Sequence, residues 1–112
     1  MKRNGELQGH VEGMLLAVLS AGPLHGYAIT EQLRQRSGGE FDLAEGTIYP
    51  ALHRLESAGL LVSSWDVVGG RRRRVYALSE PGRRAVLDRR ARWSAFKSAV
   101  DAVFASEALE AG

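Results

Sequence analysis

The sequence predicts a mainly α-helical protein with one small β-hairpin. Three short stretches within residues 10–61 repeat apolar side chains at helical spacing. A Gly69-Gly70 pair then separates two short strand-like runs, and residues 80–109 carry one long helical pattern. Three short helices followed by a hairpin make a winged helix-turn-helix the economical fold, with a long C-terminal helix beyond it.

Length and composition are those of an ordinary one-domain protein. Of the 112 residues, 45% are hydrophobic and 25% are charged, close to the averages for folded domains. Cysteine is absent, which excludes disulfides, cysteine catalysis and cysteine-bound zinc and fits a reducing compartment. No apolar run approaches the ~20 residues that span a bilayer, and no leader pattern is present. We therefore expect a cytoplasmic protein without a membrane partner.

The first helix is predicted over His10–Ala21, where Gly22-Pro23 ends it. Its apolar side chains recur at helical spacing and should face the core: Val11, Met14, Leu15, Val18 and Leu19. The preceding stretch, Met1–Gly9, is polar and contains two glycines. We expect it to form a frayed arm.

The second helix is predicted from Tyr27 to about Arg36, with Ile29 and Leu33 turned inward. Serine and two glycines end it. The loop that follows reaches about Ala44 and is longer than the tight turn of a minimal helix-turn-helix.

The third helix is predicted to start between Ala44 and Thr47 and to end at Gly59. Pro50 has no N–H, so we expect it in the first turn. The apolar stripe consists of Ile48, Leu52 and Leu55. The opposite arc is polar and rich in hydrogen-bonding groups: Thr47, Tyr49, Pro50, His53 and Arg54. A helix with two such faces can pack on a core and present its outer face to a partner.

The hairpin is predicted from two strand-like runs, Val62–Val68 and Val75–Leu78, with the glycine pair and a basic tip between them. Four consecutive arginines follow the turn: Arg71, Arg72, Arg73 and Arg74. They repel one another, and no nearby acidic run neutralises them, so they favour a polyanionic partner over a merely solvated turn. A two-stranded sheet needs support from the helices, and we therefore expect Trp65 to be a core residue rather than a platform for stacking bases.

Charge is unevenly distributed along the chain. Residues 71–97 include ten basic and two acidic residues, a net charge of +8, whereas the remainder has five basic and eleven acidic residues, a net charge of −6. This separation steers a polyanion to one surface. The basic residues between Arg83 and Arg92 fit a plain solvated helix face equally well.

The last helix is predicted to begin after Ser79, a good N-cap, and to run to about Leu109. At ~1.5 Å per residue this is roughly 40 Å, too long for the preceding domain to cover. Apolar residues repeat along it as the narrow seam of a coiled coil: Val86, Trp93, Phe96, Val100 and Val103. We infer a homodimer through this helix. Trp93 and Phe96 either pack that seam or line a slot for a flat aromatic effector.

Several motifs together resemble the PadR family of bacterial transcriptional regulators. They are GPLHGYAI at 22–29, GTIYPALHRLESAGLL at 46–61, Trp65, and GRRRRVYALSEPGRR at 70–84. The resemblance covers about residues 14–84 in order, and the short C-terminal region is similar to that of the smaller subgroup. It implies a winged helix-turn-helix that dimerises by its last helix and usually represses genes, often until a small ligand releases it.

Carried over to this sequence, the resemblance places Tyr49, Pro50 and His53 in the recognition helix and Arg71, Arg73 and Arg74 in the wing. The chain departs from the family pattern at three positions. Ala44 stands where a capping serine is common, Arg72 replaces a frequent proline, and Val75 replaces the first of two tyrosines. The change at Ala44 affects how the recognition helix is capped, and the changes at Arg72 and Val75 make the wing more basic and less aromatic than in relatives.

Together these features predict a DNA-binding domain over residues 1–79 and a dimerisation helix over residues 80–112. Thr47, Tyr49, His53 and Arg54 would reach base edges or phosphates in the major groove. The four arginines would contact phosphates or the adjacent minor groove. A two-fold dimer requires a roughly palindromic operator with half-sites ~34 Å apart.

Two other classes of function compete with this interpretation. A winged helix that docks on a basic protein without binding DNA would use the acidic first half of the chain: Glu31, Glu40, Asp42 and Glu45. An enzyme is the least supported class, because the three histidines are scattered over different elements and neither a metal-ligand cluster nor a nucleophile motif is present. His25 is expected to make a hydrogen bond at a helix start. We expect no cofactor and no metal.

Overall fold

The computed structural model describes the backbone of residues 2–111 and the side chains of residues 9–105. Four helices and three short strands follow one another as α1 (Lys2–Leu19), β1 (Leu24–His25), α2 (Gly26–Arg36), α3 (Glu45–Ser57), β2 (Leu61–Val68), β3 (Arg71–Leu78) and α4 (Glu80–Ala111). The fold is mainly helical with a small antiparallel sheet, as the sequence predicts. Within this part of the chain, no helix combines the length and apolar character needed to cross a membrane.

The core lies where α1, α2 and α3 meet, and most of it comes from the apolar stripes predicted from the sequence, although Leu16 and Leu61 were not predicted and Met14 is only partly buried. Its fully buried large side chains are Leu15, Leu16, Ile29, Ile48, Leu52, Leu55 and Leu61. Tyr76 from β3 and Val86 from α4 close the cluster. Burial of the Tyr76 ring raises the pKa of its hydroxyl, because the phenolate would lose hydration there. The strongest sequence signal, helical periodicity, therefore marks the residues that hold the domain together.

The predicted hairpin is confirmed, and we call β2 and β3 together the wing. Val68 pairs with Arg71 across a two-residue turn, in which Gly69 and Gly70 have φ of 59° and 78°. Positive φ at both positions is typical of a type I′ turn and explains the glycine pair. The sheet order is β1-β3-β2. The third strand, β1, was not predicted, because two residues are too few to show a period.

The first helix begins earlier than predicted. Residues 2–9 belong to α1, so the expected frayed arm is wrong over this range, and Met1 lies outside the described residues. A contact from α4 stabilises the extension, because the Arg89 Nη1 donates a hydrogen bond of 2.8 Å to the Gly9 carbonyl. Gly13 leaves room for the same side chain, since a Cβ there would lie 3.3 Å from the Arg89 Cδ.

The third helix starts within the predicted range, yet Pro50 is not in its first turn. Counting from Glu45, Pro50 is the sixth residue and lies inside the helix. It cannot donate the usual hydrogen bond to the carbonyl of Gly46. Ala44 occupies the N-cap position without a side-chain hydrogen bond, so the N-terminal end of α3 lacks two of the ordinary helix contacts.

The start of α4 is fastened to the turn between α3 and β2. The Ser79 hydroxyl accepts a hydrogen bond of 3.1 Å from the Gly82 N–H, which confirms Ser79 as the N-cap, and donates one of 2.6 Å to the Gly59 carbonyl. Gly82 lies directly on the Leu60 backbone, where an added Cβ would be 2.0 Å from the Leu60 carbonyl oxygen. Only glycine fits at this position.

Candidate nucleic-acid interface

The outer face of α3 is exposed along its length. The polar residues predicted for this face are all accessible to solvent: Thr47, Tyr49, Pro50, His53 and Arg54. Ile48, Leu52 and Leu55 occupy the opposite face and are at most 1% exposed. The helix thus divides into the two faces that its sequence predicts, one fixed in the core and one free for a partner.

Tyr49 is exposed on one side and packed on the other. Its ring lies on the first residue of α2, since a Cβ added at Gly26 would be 2.7 Å from the Tyr49 hydroxyl oxygen. The side chain retains 41% of its exposure. This contact fixes the ring relative to both helices and leaves its edge available to a partner.

Arg54 is engaged with α1. Its Nε lies 2.8 Å from a carboxylate oxygen of Glu12. The guanidinium is therefore held at the edge of the α3 face rather than over its centre. Sequence spacing could not show this pair, because 42 residues separate its members.

The four wing arginines lie on β3 rather than in the turn, and they differ in their contacts. Arg74 donates from Nε to the Ser63 hydroxyl at 2.9 Å and lies 3.5 Å from the Glu56 carboxylate. The Arg73 Nη1 lies 3.1 Å from the His25 Nε2. Among the described residues, Arg71 and Arg72 have no hydrogen-bond or ion-pair partner. The charge nearest the turn is thus the least neutralised.

Trp65 is exposed, so its expected place in the core is wrong. The indole retains 55% of its exposure, and two guanidinium carbons lie over it, Arg72 at 4.6 Å and Arg74 at 5.3 Å from the ring centre. The wing extends beyond the helices, so the helices reach Leu61 and Tyr76 at its base but not Trp65. Arginine side chains cover the ring where the core cannot.

His25 caps α2, as its position before that helix predicts. The His25 Nδ1 accepts a long hydrogen bond, 3.4 Å, from the Ala28 N–H. The other ring nitrogen faces Arg73 on the wing. The residue therefore joins the start of α2 to the sheet.

The far half of α4 exposes a row of apolar side chains. Trp93, Phe96 and Val103 retain 54%, 60% and 68% of their exposure, and Val100 is partly buried. The Trp93 ring lies 5.8 Å from Phe96 and 5.8 Å from His10 of α1. Val86, predicted in the same seam, is instead buried in the domain core.

Two exposed apolar residues on α4 escaped the sequence prediction. Leu87 and Phe104 are 63% and 64% exposed. Phe104 lies four residues after Val100, a helical spacing that would have revealed it. Leu87 lies between Arg83 and Arg90 beside a groove of about 330 Å³ that α4 forms with the end of α1 and with β3.

Much of the positive charge of α4 is neutralised locally. Three pairs at four-residue spacing connect Arg84 with Glu80, Arg92 with Asp88, and Lys97 with Asp101. The hydrogen bond to Asp101 raises the pKa of Lys97. Of the surplus charge predicted for residues 71–97, the part on α4 is therefore reduced by these three pairs.

Comparison with known proteins agrees with this architecture. The model of the transcriptional regulator PadR-like family matches residues 15–88. The transcriptional regulator Rv3488 of Mycobacterium tuberculosis is 48% identical over 69 residues, which are 61% of this chain and 62% of that protein, less than two thirds of its length.

Solved structures give the same result. A PadR family transcription regulator from Clostridium difficile superimposes with a TM-score of 0.75 at 31% identity, over 82% of this chain and 95% of that one. Bacillus subtilis PadR in complex with operator DNA has a TM-score of 0.63 at 26% identity, over 69% of this chain and 44% of that one. The chain therefore belongs to the PadR-like family, whose members are transcriptional regulators rather than enzymes.

Proposed function

We propose that this protein binds double-stranded DNA sequence-specifically as a homodimer and represses transcription. The observation that carries the proposal is the exposed polar face of α3 beside a wing whose outermost arginines, Arg71 and Arg72, have no hydrogen-bond or ion-pair partner among the described residues. A helix with a buried apolar face and an exposed polar face suits the major groove, and guanidinium groups beside it suit phosphates. The structural likeness to a PadR solved with operator DNA supports this assignment.

In this proposal the two surfaces have different tasks. The major groove is faced by Thr47, Tyr49, Pro50 and His53. Arg54 contacts the edge of the groove, and its ion pair with Glu12 holds the guanidinium in position. The four wing arginines contact phosphates or the adjacent minor groove, which sets affinity and register rather than sequence choice. Affinity for a duplex should consequently fall more than tenfold between low and moderate salt.

The dimer in this proposal forms through the apolar row of α4. Trp93, Phe96, Val100 and Val103 lie along one side of the helix, and Phe104 extends the row. Exposed aromatic side chains of this size are stabilised by burial against a second copy. Two copies related by a two-fold axis then bind a roughly palindromic operator, with half-sites about one helical turn apart, ~34 Å.

A small planar aromatic effector is the second part of the proposal. The Trp93 and Phe96 rings lie 5.8 Å apart and are tilted by 35°, an arrangement on which such a compound could stack between the subunits and release the DNA. The competing interpretation is that both rings only pack the dimer seam. Titration of tryptophan fluorescence with planar aromatic compounds separates the two, because an intact dimer that shows no quenching at saturation excludes the effector site for those compounds.

Selection of bound duplexes from a random pool is the decisive experiment. The expected product is a palindromic consensus, and a gel shift on the DNA upstream of the protein's own gene should show a single dimer-sized complex. A monomer in solution that retains no duplex from the pool would overturn the proposal. That result would favour the rival function, a winged helix that docks on a basic protein through the exposed acidic residues Glu40, Asp42 and Glu45.

A further inference from the structure

One face of the wing carries an indole and two arginines in contact. In the strand register Trp65 is directly opposite Arg74, while Arg72 is opposite Val67 and so diagonal to Trp65. Side chains at opposite and diagonal positions of an antiparallel pair project from the same face. The two guanidinium carbons lie 4.6 Å and 5.3 Å from the centre of the indole. The ring is thus their common support.

This cluster is connected to α3 by polar contacts. Arg74 donates to the Ser63 hydroxyl and pairs with the Glu56 carboxylate in the last turn of α3. The Ser63 hydroxyl in turn donates to Glu56. A continuous series of contacts therefore runs from α3 through Arg74 and Trp65 to Arg72 near the tip of the wing.

An exposed arginine ordinarily samples many rotamers, and ordering it on binding reduces affinity. A guanidinium that already lies on an aromatic face loses less freedom when a phosphate arrives, and cation–π attraction favours that position. The indole itself is neutral, 55% exposed and covered by the arginines on one face of the wing. Its chemistry suits support of a charged side chain rather than phosphate binding.

We infer that Trp65 is a positioning residue for DNA binding, which orders Arg72 and Arg74 relative to α3 before the duplex arrives. The inference rests on the proposed function. It assigns the exposed tryptophan a role through its neighbours and not through contact with DNA. The ring face is the feature that matters, so another aromatic side chain can replace the indole in part.

The first test compares affinity for the selected duplex across a salt series. Trp65→Leu should weaken binding on the order of tenfold, since two cation–π contacts are lost, and should leave the salt dependence unchanged because both arginines remain. Trp65→Phe should stay within about threefold of the wild type. Val62→Ala is the matched control, because Val62 is 54% exposed on the opposite face of the same strand, and it should bind like the wild type.

The second test is a double-mutant cycle. In an Arg72→Ala/Arg74→Ala background, Trp65→Leu should have almost no further effect, since an indole that acts through the arginines has nothing left to order. An equal loss in both backgrounds would show that the indole contacts the duplex itself and would overturn the inference. So would wild-type affinity of Trp65→Leu, or Trp65→Phe as weak as Trp65→Leu. Thermal unfolding of each variant verifies that it is folded.

The two proposals fail in different ways. If the wild-type protein binds no duplex, the proposed function is wrong and the role of Trp65 is lost with it. If the wild type binds and Trp65→Leu binds equally well, only the inference about Trp65 is wrong.

Discussion

Helix α3 and the wing lie side by side, yet different forces fix their side chains. The inner residues of α3 are buried in the core, so packing sets the position of its outer face. The wing has little apolar support beyond Leu61 and Tyr76, and its side chains are ordered by contacts with one another. If α3 distinguishes bases and the wing contacts phosphates, as proposed, base recognition has the rigidly packed surface and phosphate contact has the surface that depends on its own side-chain contacts.

Removing a buried side chain from α3 should have the largest effect. Leu52→Ala deletes a completely buried side chain and is expected to lower the free energy of unfolding by about 2–5 kcal/mol. Val67→Ala, on the wing at 66% exposure, should lower it by less than about 0.5 kcal/mol. Denaturant unfolding measures both. Similar losses of unfolding free energy in Leu52→Ala and Val67→Ala would contradict the view that packing fixes α3 but not the wing.

The contact that fixes Tyr49 should come next. Gly26→Ala puts a Cβ 2.7 Å from the tip of the Tyr49 ring. Because that ring is 41% exposed and can turn aside, the cost should be about 1 kcal/mol, the low end for overpacking. Gly46→Ala is the control within α3, where an added Cβ meets nothing within 4 Å. There the substitution should stabilise by less than about 0.5 kcal/mol, because alanine is the better helix former but Gly46 lies in the first turn rather than in the middle of α3. If both variants lose stability, the contact with Tyr49 is not the reason why position 26 does not accept a larger side chain.

The salt dependence of duplex binding should distinguish the wing from α3, and the expected effect is smaller than the two stability changes above. Arg71→Ala removes a charge that has no ion-pair partner among the described residues. It should lower the magnitude of the slope of log affinity against log salt by about 0.9, so that the loss of affinity between 50 and 200 mM salt becomes roughly threefold smaller. His53→Ala should leave this slope unchanged and alter base preference instead. Duplex binding at four or more salt concentrations checks both. An unchanged slope for Arg71→Ala would remove that residue from the phosphate contacts.

The smallest effect is expected from the ion pair between α1 and α3. Glu12→Gln removes the carboxylate charge that lies 2.8 Å from the Arg54 Nε, but the Arg54 side chain is 41% exposed. Such pairs contribute about 0–1 kcal/mol. Unfolding at 0.05 M and 1 M salt should show a difference from the wild type only at low salt. A loss that persists at high salt would indicate a packing role for Glu12.

The sequence predicted well what depends on periodicity and poorly what depends on where elements meet. The stripes of α1, α2 and α3 and the glycine turn of the wing follow from local rules. The exposure of Trp65 depends on how far the wing extends beyond the helices. The Arg54–Glu12 pair depends on where α1 and α3 cross, and the extension of α1 depends on a contact from Arg89 of α4. None of these has a local signature. For the same reason, the division of the four arginines into paired and unpaired residues required the strand register.

Gly82 and Leu60 lie in direct backbone contact, which connects the start of α4 to the turn after α3. Because no side chain separates the two backbones, a tilt of α4 would press on the turn that follows α3. In a dimer joined along α4, this connection would set the distance between the outer faces of the two α3 helices. In the proposed dimer, operator spacing should accordingly persist through many surface substitutions, because none of them separates these two backbones.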